Sequence, residues 1–276
     1  LLSQKPLAVT IAEAREMCDV FEQRNLTLGV FENWRFIPDS IRVMSLLQRG
    51  LLGEPQILHA GAIGAWWAPD QIVAHTPWRH RRESAGGITL DMGVHQFDFV
   101  RAIGGEVVSI DGRAKTIEPV RRTIGSNGAT VAEVECDSDD TYFASFETES
   151  GAIGSVHASW AGGGAATVCG PGPTVYTSTV RVCGERVDLR DGTTTTLKEF
   201  YEQNTDGERQ SRDFPGGLND SFALTQCDWL AAIRDQRRPV TDGREGLLDL
   251  ACAWAVLESS RAGRRVSLSE ILSGEL

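Results

Sequence analysis

Two ionisable residues, Asp91 and His95, stand four positions apart in the stretch "AGGITLDMGVHQFDFVRAIGG" at 85–105. Residues with this spacing lie on one face of a helix, so the two side chains can point at the same place. An imidazole, whose ordinary pKa is about 6.5, can exchange a proton with a substrate at neutral pH. The pair is therefore a candidate for general acid–base catalysis. An aspartate that favours the helix dipole, with a buried histidine one turn behind it, would show the same spacing.

Polar residues also follow the first two apolar stretches of the chain. At the ends of these stretches stand Lys5, Pro6, Glu32, Asn33 and Arg35. Ligands of open parallel α/β sheets bind beyond the carboxyl ends of the strands, so these side chains are candidates for ligand contacts. Each also has an ordinary structural explanation, as a surface lysine or as a cap of a strand end.

A third candidate set, Trp78 and Arg79, precedes the glycines in "TPWRHRRESAGG" at 76–87. This basic run is short, and it is typical of a local substrate contact or of a solvated loop. Asp91, His95 and Asp98 could ligate a metal ion, but neither a nearby cysteine nor a second histidine follows at a ligand spacing. We therefore expect no metal site. A serine hydrolase is also disfavoured, because the chain has no G-x-S-x-G motif.

The elements that must position these residues begin as strand, helix, strand. Residues 10–24 have helical apolar spacing, with Thr10 and Glu13 placed as a capping box, and residues 26–33 form a short apolar strand. This order is typical of a parallel α/β unit. Further helices are predicted at 39–49 and from the glycine pair to Gly104 and Gly105.

From residue 55 the pattern changes to alternating strands separated by hairpin signals. Strands are predicted at 55–67, 106–117, 141–150, 151–160, 174–184 and 185–200, and helices return at 220–234 and 246–261. The predicted fold class is α/β plus α+β. An α/β unit at 1–33 is joined to a large, mainly antiparallel β-sheet domain flanked by helices at 34–276.

Composition narrows the class of protein. The 276 residues are 41% hydrophobic and 24% charged, with a net charge of −11, which argues against nucleic acid or an anionic membrane as a partner. The six cysteines are scattered singly, which predicts reduced thiols in a cytoplasmic protein. No signal peptide is visible. Because the chain opens on Leu1 in a strand-like stretch, we expect further sequence upstream.

Taken together and in order, these motifs resemble the Gfo/Idh/MocA family of nicotinamide-dependent oxidoreductases. The shared motifs are "QKP" at 4–6, "ENWRFIP" at 32–38, "WR" at 78–79, "AGGITLDMGVH" at 85–95 and the back end at 222–268. Gln4 stands where the family usually has glutamate, and Ala85 replaces the first glycine of a triplet. The resemblance covers nearly the whole chain, and it implies that residues 1–33 are the remnant of a Rossmann-type dinucleotide-binding domain.

The resemblance also implies site roles. Lys5, Asp91 and His95 would be catalytic, with His95 as the acid–base group and Asp91 orienting the substrate hydroxyl or the imidazole. NAD or NADP would be contacted by Lys5, Pro6, Glu32, Asn33 and Arg35. A sugar, polyol, inositol or sugar acid would be contacted by Trp78, Arg79, Asp91 and His95.

One family feature is missing from these 276 residues. No G-x-G-x-x-G follows a strand, since "GAIGAWW", "GGGAA" and "GPGP" have the wrong spacing or context. We therefore expect the phosphate-binding turn to lie upstream and this fragment alone to be inactive. A homo-oligomer through the sheet face is also expected, because few helices are available to cover both faces. The alternative is a non-catalytic binding or oligomerisation domain.

Overall fold

The computed structural model describes residues 1–64, 68–162, 167–168 and 174–275. It begins with strand β1 (Leu2–Gln4), helix α1 (Ile11–Gln23) and strand β2 (Gly29–Phe31). The two strands pair in parallel, with Leu2 opposite Gly29. The side chain of Thr10 accepts a hydrogen bond from the backbone N–H of Glu13, so the predicted capping box and the predicted strand–helix–strand order are confirmed.

This first unit packs against a long helix from the far end of the chain, α7 (Gly243–Ala262). The first unit and α7 share one apolar cluster, to which the first unit contributes Leu28 and Val30 and α7 contributes Leu250. The approach is close, because a Cβ added to Gly246 would lie 2.6 Å from Cγ2 of Val30. The parallel edge is thereby held in a fixed position. A domain boundary at residue 33 stays a prediction.

Most of the remaining strands form one large sheet. Its strands run in the order β13-β12-β11-β10-β3-β8-β7-β4-β14, with β9 paired to β3 off this path. The pairs are antiparallel except β3 with β8, so the mainly antiparallel sheet is confirmed. The strands are β3 (Pro55–Ile63), β4 (Val107–Lys115), β7 (Thr141–Thr148), β8 (Ile153–Ser159), β9 (Thr167–Val168), β10 (Thr174–Thr177), β11 (Val180–Cys183), β12 (Arg186–Leu189), β13 (Thr194–Thr196) and β14 (Val266–Ser267).

The two faces of this sheet differ in chemistry. On one face, side chains such as Leu58, Val156 and Ile110 are buried in the main apolar core. Successive residues of a strand point to opposite faces, so the other face carries the alternate positions. There the large apolar side chains Ile57, Phe143, Ile153 and Tyr176 are exposed.

Helices pack on the buried face and beyond it. They are α2 (Pro38–Gln48), α3 (Val94–Gly104), α4 (Leu197–Asn204), α5 (Gly207–Asp213), α6 (Ser221–Arg234) and α8 (Leu268–Ser273). The predicted strand at 185–200 is wrong in its last part. Thr196 caps helix α4 in a capping box with Glu199, and the chain turns helical at Leu197.

Strands β5 (Val120–Ile124) and β6 (Thr130–Glu135) form a separate hairpin, which was not expected from the sequence. Three predicted or rejected features fall partly or wholly outside the described residues. These are the end of "GAIGAWW" (65–67), most of "GGGAA" (163–166) and "GPGP" with the preceding Cys169 (169–173).

Candidate active site

A lysine, an aspartate and an arginine from three separate segments form a cluster beyond the carboxyl end of β1. Nζ of Lys5 donates to Oδ1 of Asp91 at 2.8 Å and also to its carbonyl oxygen. Nε of Arg79 donates to Oδ2 of the same carboxylate at 2.9 Å. We call Lys5, Arg79 and Asp91 the site cluster. An ammonium group has three N–H donors, and among the described residues only two of those of Lys5 have a partner, so the third can meet a ligand.

The glycine pair shapes the loop that delivers Asp91. The backbone N–H of Gly87 bonds to the carbonyl of Arg79 at 2.9 Å, which folds the loop back on itself. A Cβ on Gly86 would lie 2.5 Å from the carbonyl oxygen of Trp78, so a side chain has no room there. Asp139 then anchors the next turn, because its Oδ2 accepts from the backbone N–H of Thr89 at 2.9 Å.

Asp91 and His95 do not share a hydrogen bond with each other in this structure. Asp91 lies in a π-helical turn (Thr89–Gly93) that runs directly into α3, where His95 is the second residue. A π-turn is wider than an α-turn, so four-residue spacing does not stack the two side chains. The charge of Asp91 still acts on His95, which places both in one electrostatic environment.

His95 is instead held by two residues of the turn after β2. Its Nδ1 atom lies 2.5 Å from Oε1 of Glu32. The ring of Trp34 stacks on the imidazole, with centroids 4.8 Å apart and an angle of 11° between the planes. Glu32 also caps its own short 3₁₀ turn (Asn33–Phe36) by accepting from the backbone N–H of Trp34.

Burial and neighbouring charges set the protonation of these groups. Burial, with the Lys5 charge adding to it, lowers the pKa of His95 from 6.5 to about 3. Burial raises the pKa of Glu32 well above its ordinary value, and Asp98 adds to this. Burial would raise the pKa of Asp91 too, but the Lys5 and Arg79 cations outweigh it and lower that pKa. At neutral pH the site therefore holds a neutral imidazole beside an ionised Asp91.

Arg35 and Asn33 are occupied by other side chains. The guanidinium of Arg35 contacts both oxygens of Asp98 at 2.9 Å from Nε, and its Nη2 lies 2.9 Å from Oε2 of Glu245. Nδ2 of Asn33 donates to Oγ of Ser221 at the start of α6. These bonds tie the turn after β2 to α3, α6 and α7.

A second arginine, Arg101 of α3, extends this set of ion pairs. Nη1 of Arg101 lies 2.6 Å from Oδ1 of Asp249, and its Nε lies 2.8 Å from Oε2 of Glu106. We call Arg35, Asp98, Glu245, Arg101 and Asp249 the α3–α7 network. This network holds α3, which carries His95, against α7, which packs on the unit of β1, α1 and β2.

One cavity adjoins the site at Trp34, and a larger groove lies elsewhere. A cavity of about 350 Å³ is lined by Trp34 and Gln96 together with Phe99 and Glu185. A larger groove of about 1010 Å³ lies between α2, α5 and α6, and Lys5 and His95 do not line it. Size alone therefore does not locate the chemistry. Trp78 is exposed. The guanidinium carbon of Arg79 lies over the Trp78 ring, 4.4 Å from the ring centroid.

The structure brings together most of the residues that the sequence singled out. Lys5, Arg79 and Asp91 meet directly, while Glu32 meets His95. Pro6 follows Lys5 through a cis peptide bond. Asp139 was missed, because no local motif links it to the glycine loop 50 residues earlier. Among the described residues, no group of three or more His, Cys, Asp or Glu is placed to hold a metal ion, and no helix is long and apolar enough to cross a bilayer.

Comparison with known proteins identifies relatives over as much as 98% of the chain. Residues 41–190, more than half of the chain, match a family model described as the GFO/IDH/MocA C-terminal domain. D-xylose dehydrogenase of Paenarthrobacter nicotinovorans is 29% identical over 167 residues, which are 58% of this chain and 42% of that protein. D-apiose dehydrogenase of Paraburkholderia graminis is 27% identical over 282 residues, covering 98% of this chain and 67% of that protein. Myo-inositol 2-dehydrogenase of Thermotoga maritima is 25% identical over 274 residues, covering 98% and 72%.

Solved structures share the fold. Levoglucosan dehydrogenase in its apo form superposes with a TM-score of 0.76 at 20% identity, over 96% of this chain and 72% of that chain. The same enzyme in complex with NADH and L-sorbose has a TM-score of 0.76 at 19% identity, over 97% and 73%. An oxidoreductase from Agrobacterium radiobacter, in complex with NAD+, L-tartaric acid and magnesium, has a TM-score of 0.72 at 21% identity, over 98% and 73%. The expected fold class is confirmed, and the chain spans only part of the length of each relative.

Proposed function

The chain belongs to the GFO/IDH/MocA family, and on that premise we propose that it forms the substrate-binding and proton-transferring part of a nicotinamide-dependent sugar or polyol dehydrogenase. The observation that carries the proposal is the convergence of Lys5 and the glycine-loop acid Asp91 at the carboxyl end of β1. A neutral, buried His95 stands in the same electrostatic environment. This combination pairs a cation with a proton acceptor, as removal of a proton from a hydroxyl requires.

His95 is the acid–base group in this proposal. It accepts the hydroxyl proton when a sugar or polyol is oxidised and returns it when a carbonyl is reduced. The free donor of Lys5 binds the reacting oxygen and stabilises the negative charge that develops there. Asp91 holds Lys5 and Arg79 in place, and Trp78 and Arg79 contact the substrate. Asp91 thus orients the substrate through two cations.

The residues beyond β1 and β2 fit the nicotinamide end of NAD or NADP. Lys5, Pro6, Glu32 and Asn33 lie after two parallel strands, where ligands of such sheets bind. A bound nicotinamide supplies the hydride acceptor or donor. Arg35 acts indirectly, because its guanidinium is tied to Asp98 and Glu245. We further propose that residues outside these 276 bind the pyrophosphate, since the sequence has no G-x-G-x-x-G turn.

A second copy of the chain would cover the exposed sheet face. Ile57, Phe143, Ile153 and Tyr176 lie exposed on strands that pack their other face into the core. A face of this kind gains by association. Phe143→Asp should convert an oligomer to monomer in light scattering at micromolar concentrations, whereas Val131→Asp on the hairpin β5–β6 should not. A wild-type protein that stays monomeric would contradict this part of the proposal.

The free cysteines support a proposal for the cellular compartment of the protein. The described cysteines Cys18, Cys136, Cys183, Cys227 and Cys252 are free. Free thiols in this number are typical of a reducing compartment, which supports a cytoplasmic protein.

The proposed function is tested by assaying the dehydrogenase that contains these 276 residues against D-xylose, D-apiose and myo-inositol, with NAD and with NADP. We expect turnover with at least one sugar or polyol. A folded protein that turns over none of them with either cofactor would contradict the proposal and support the alternative, a non-catalytic binding or oligomerisation domain.

A calorimetric titration of the 276-residue chain alone with NAD tests the cofactor part. Weak or undetectable binding is expected, because the 276 residues have no G-x-G-x-x-G turn to place a pyrophosphate at a helix N-terminus. Tight binding would show that these 276 residues contain a phosphate site, and would contradict this part of the proposal.

A further inference from the structure

His95 has a buried acidic partner whose role in the chemistry is not assigned by the proposed function. Oε1 of Glu32 lies 2.5 Å from Nδ1 of His95, across 63 positions of sequence. Both side chains are buried, with residue exposures of 2% and 5%. The carboxyl group is itself fixed, because it accepts from the backbone N–H of Trp34 at 3.1 Å.

The surroundings leave the imidazole one free nitrogen. The Trp34 ring stacks on one face of His95, which restricts rotation of the ring. Nδ1 is engaged by Glu32, and among the described residues no hydrogen bond reaches Nε2. Nε2 is therefore the atom that can meet a substrate hydroxyl.

We propose that Glu32 positions His95 and completes a proton relay: as Nε2 takes the proton of a substrate hydroxyl, Nδ1 passes its own proton to Oε1 of Glu32. The substrate O–H and the Nδ1–H bonds break, and the Nε2–H and Oε1–H bonds form. The imidazole stays neutral throughout, and the hydride leaves the substrate carbon for the nicotinamide of the proposed function. Reduction of a carbonyl runs the same steps backwards. The identity of the substrate depends on the proposed function, whereas the proton exchange between Glu32 and His95 does not depend on it.

The electrostatics favour the carboxyl over the imidazole as the place where the extra proton rests. Burial and the Lys5 charge disfavour an imidazolium, and they lower the pKa of His95 to about 3. Burial and Asp98 disfavour an ionised Glu32 and raise its pKa. This differs from a Ser-His-Asp triad, whose carboxylate stays ionised. The charged groups that act on the pair from the surrounding elements are Lys5, Arg35, Asp91, Asp98 and Asp249.

Nitrogen-15 NMR of histidine-labelled protein tests the exchange on the chain itself, without cofactor. The His95 signals are assigned by their loss in His95→Asn. We expect a neutral ring whose proton moves from Nε2 to Nδ1 as the pH is raised and Glu32 ionises. In Glu32→Gln the proton should stay on one nitrogen at every pH at which the protein is folded. An imidazolium that forms with a pKa of about 6.5, or a wild-type ring that keeps one tautomer throughout, would overturn the relay.

Steady-state kinetics of the proposed dehydrogenase provide a second test of the relay. Glu32→Gln keeps the shape of the side chain but cannot take up the proton, so we expect kcat to fall at least about 10-fold with KM little changed. Glu32→Asp should recover part of the loss, and Glu202→Gln on α4 is the matched control. An active enzyme whose pH profile is the same in Glu32→Gln would contradict the relay alone. A tautomer switch in a protein without activity would support the pairing and contradict the proposed function.

Discussion

Two clusters of opposite charges adjoin helix α3, and they differ in how completely their charges are paired. In the α3–α7 network, Arg35 and Asp98 have side-chain exposures of 9% and 0%, and the pair is closed by a third charged group, Glu245. In the site cluster, Lys5 and Asp91 have side-chain exposures of 16% and 13%. Lys5 uses two of its three donors on Asp91.

This difference distinguishes ion pairs that stabilise the packing of helices from an ion pair that can bind a ligand. A buried guanidinium that two carboxylates bind through Nε and Nη2, as in Arg35, fixes the surrounding helices. A cation with a free donor, beside a neutral imidazole and a strand end, can bind and polarise an oxygen. Residue type does not distinguish the two clusters, because both pair cations with aspartate. Changes in each cluster should therefore affect different quantities.

The largest effect on stability should come from the α3–α7 network. Asp98→Asn leaves the buried Arg35 guanidinium with an incomplete partner set. We expect the free energy of unfolding to fall by about 3–5 kcal/mol, as for other buried pairs that lose one member. Urea unfolding of the chain measures this.

The control for that measurement is Asp111→Asn, which breaks a pair with Arg113 whose side chains are 44% and 53% exposed. The loss there should stay below about 1 kcal/mol. Equal losses in the two variants would contradict the distinction between the clusters.

A smaller effect should appear on mild acidification, and it should come from buried histidines. Burial lowers the pKa of His80 to about 4, and that of His95 to about 3. A depressed folded-state pKa means that the unfolded chain binds more protons, so stability falls as the pH drops below about 6.5. The Asp91 carboxylate contributes only below about pH 4, because its folded-state pKa is lowered.

His80→Gln isolates one histidine of this pair. Between about pH 6.5 and pH 4, the variant should lose about 2–3 kcal/mol less stability than wild type. Exposed His75→Gln should lose as much as wild type. Urea midpoints across this range give the comparison, and identical slopes in wild type and His80→Gln would show that His80 is not held neutral.

The smallest effect on stability should come from the site cluster, although its effect on turnover is large. Lys5→Ala leaves Asp91 paired with Arg79, so we expect a smaller loss of stability than in Asp98→Asn, which leaves a buried guanidinium without its main partner. Turnover should fall about 100-fold or more, because the reacting oxygen loses its cation. Lys198→Ala on α4 should change neither quantity. A Lys5→Ala enzyme with full turnover would place Lys5 among the purely structural cations.

Local signals predicted the elements well where one motif decides the structure. Thr10 and Glu13 started α1 as expected. The same spacing at Thr196 and Glu199 starts α4, but a run of threonines before it resembles a strand. The hairpin β5–β6 could have been predicted from Asn127 followed by Gly128, because this dipeptide is a strong turn signal.

The candidate site was predicted as a set of residues but not as a set of contacts. Local spacing paired Asp91 with His95, whereas the structure pairs Asp91 with Lys5 at 86 positions and His95 with Glu32 at 63 positions. Such distances along the chain are closed by the packing of β1 and β2 on α7 and by the π-turn before α3. No pattern of a few residues contains that information.

The central claim is that His95 transfers the substrate proton, and single-turnover kinetics test it most directly. Wild type and His95→Ala are compared in the proposed dehydrogenase, with a substrate identified in the panel and saturating cofactor, as a function of pH. The rate of hydride transfer in His95→Ala should fall about 100- to 10,000-fold at neutral pH and recover partly at high pH, with cofactor affinity little changed. An unchanged rate at neutral pH would contradict the account and leave His95 as a buried histidine of α3.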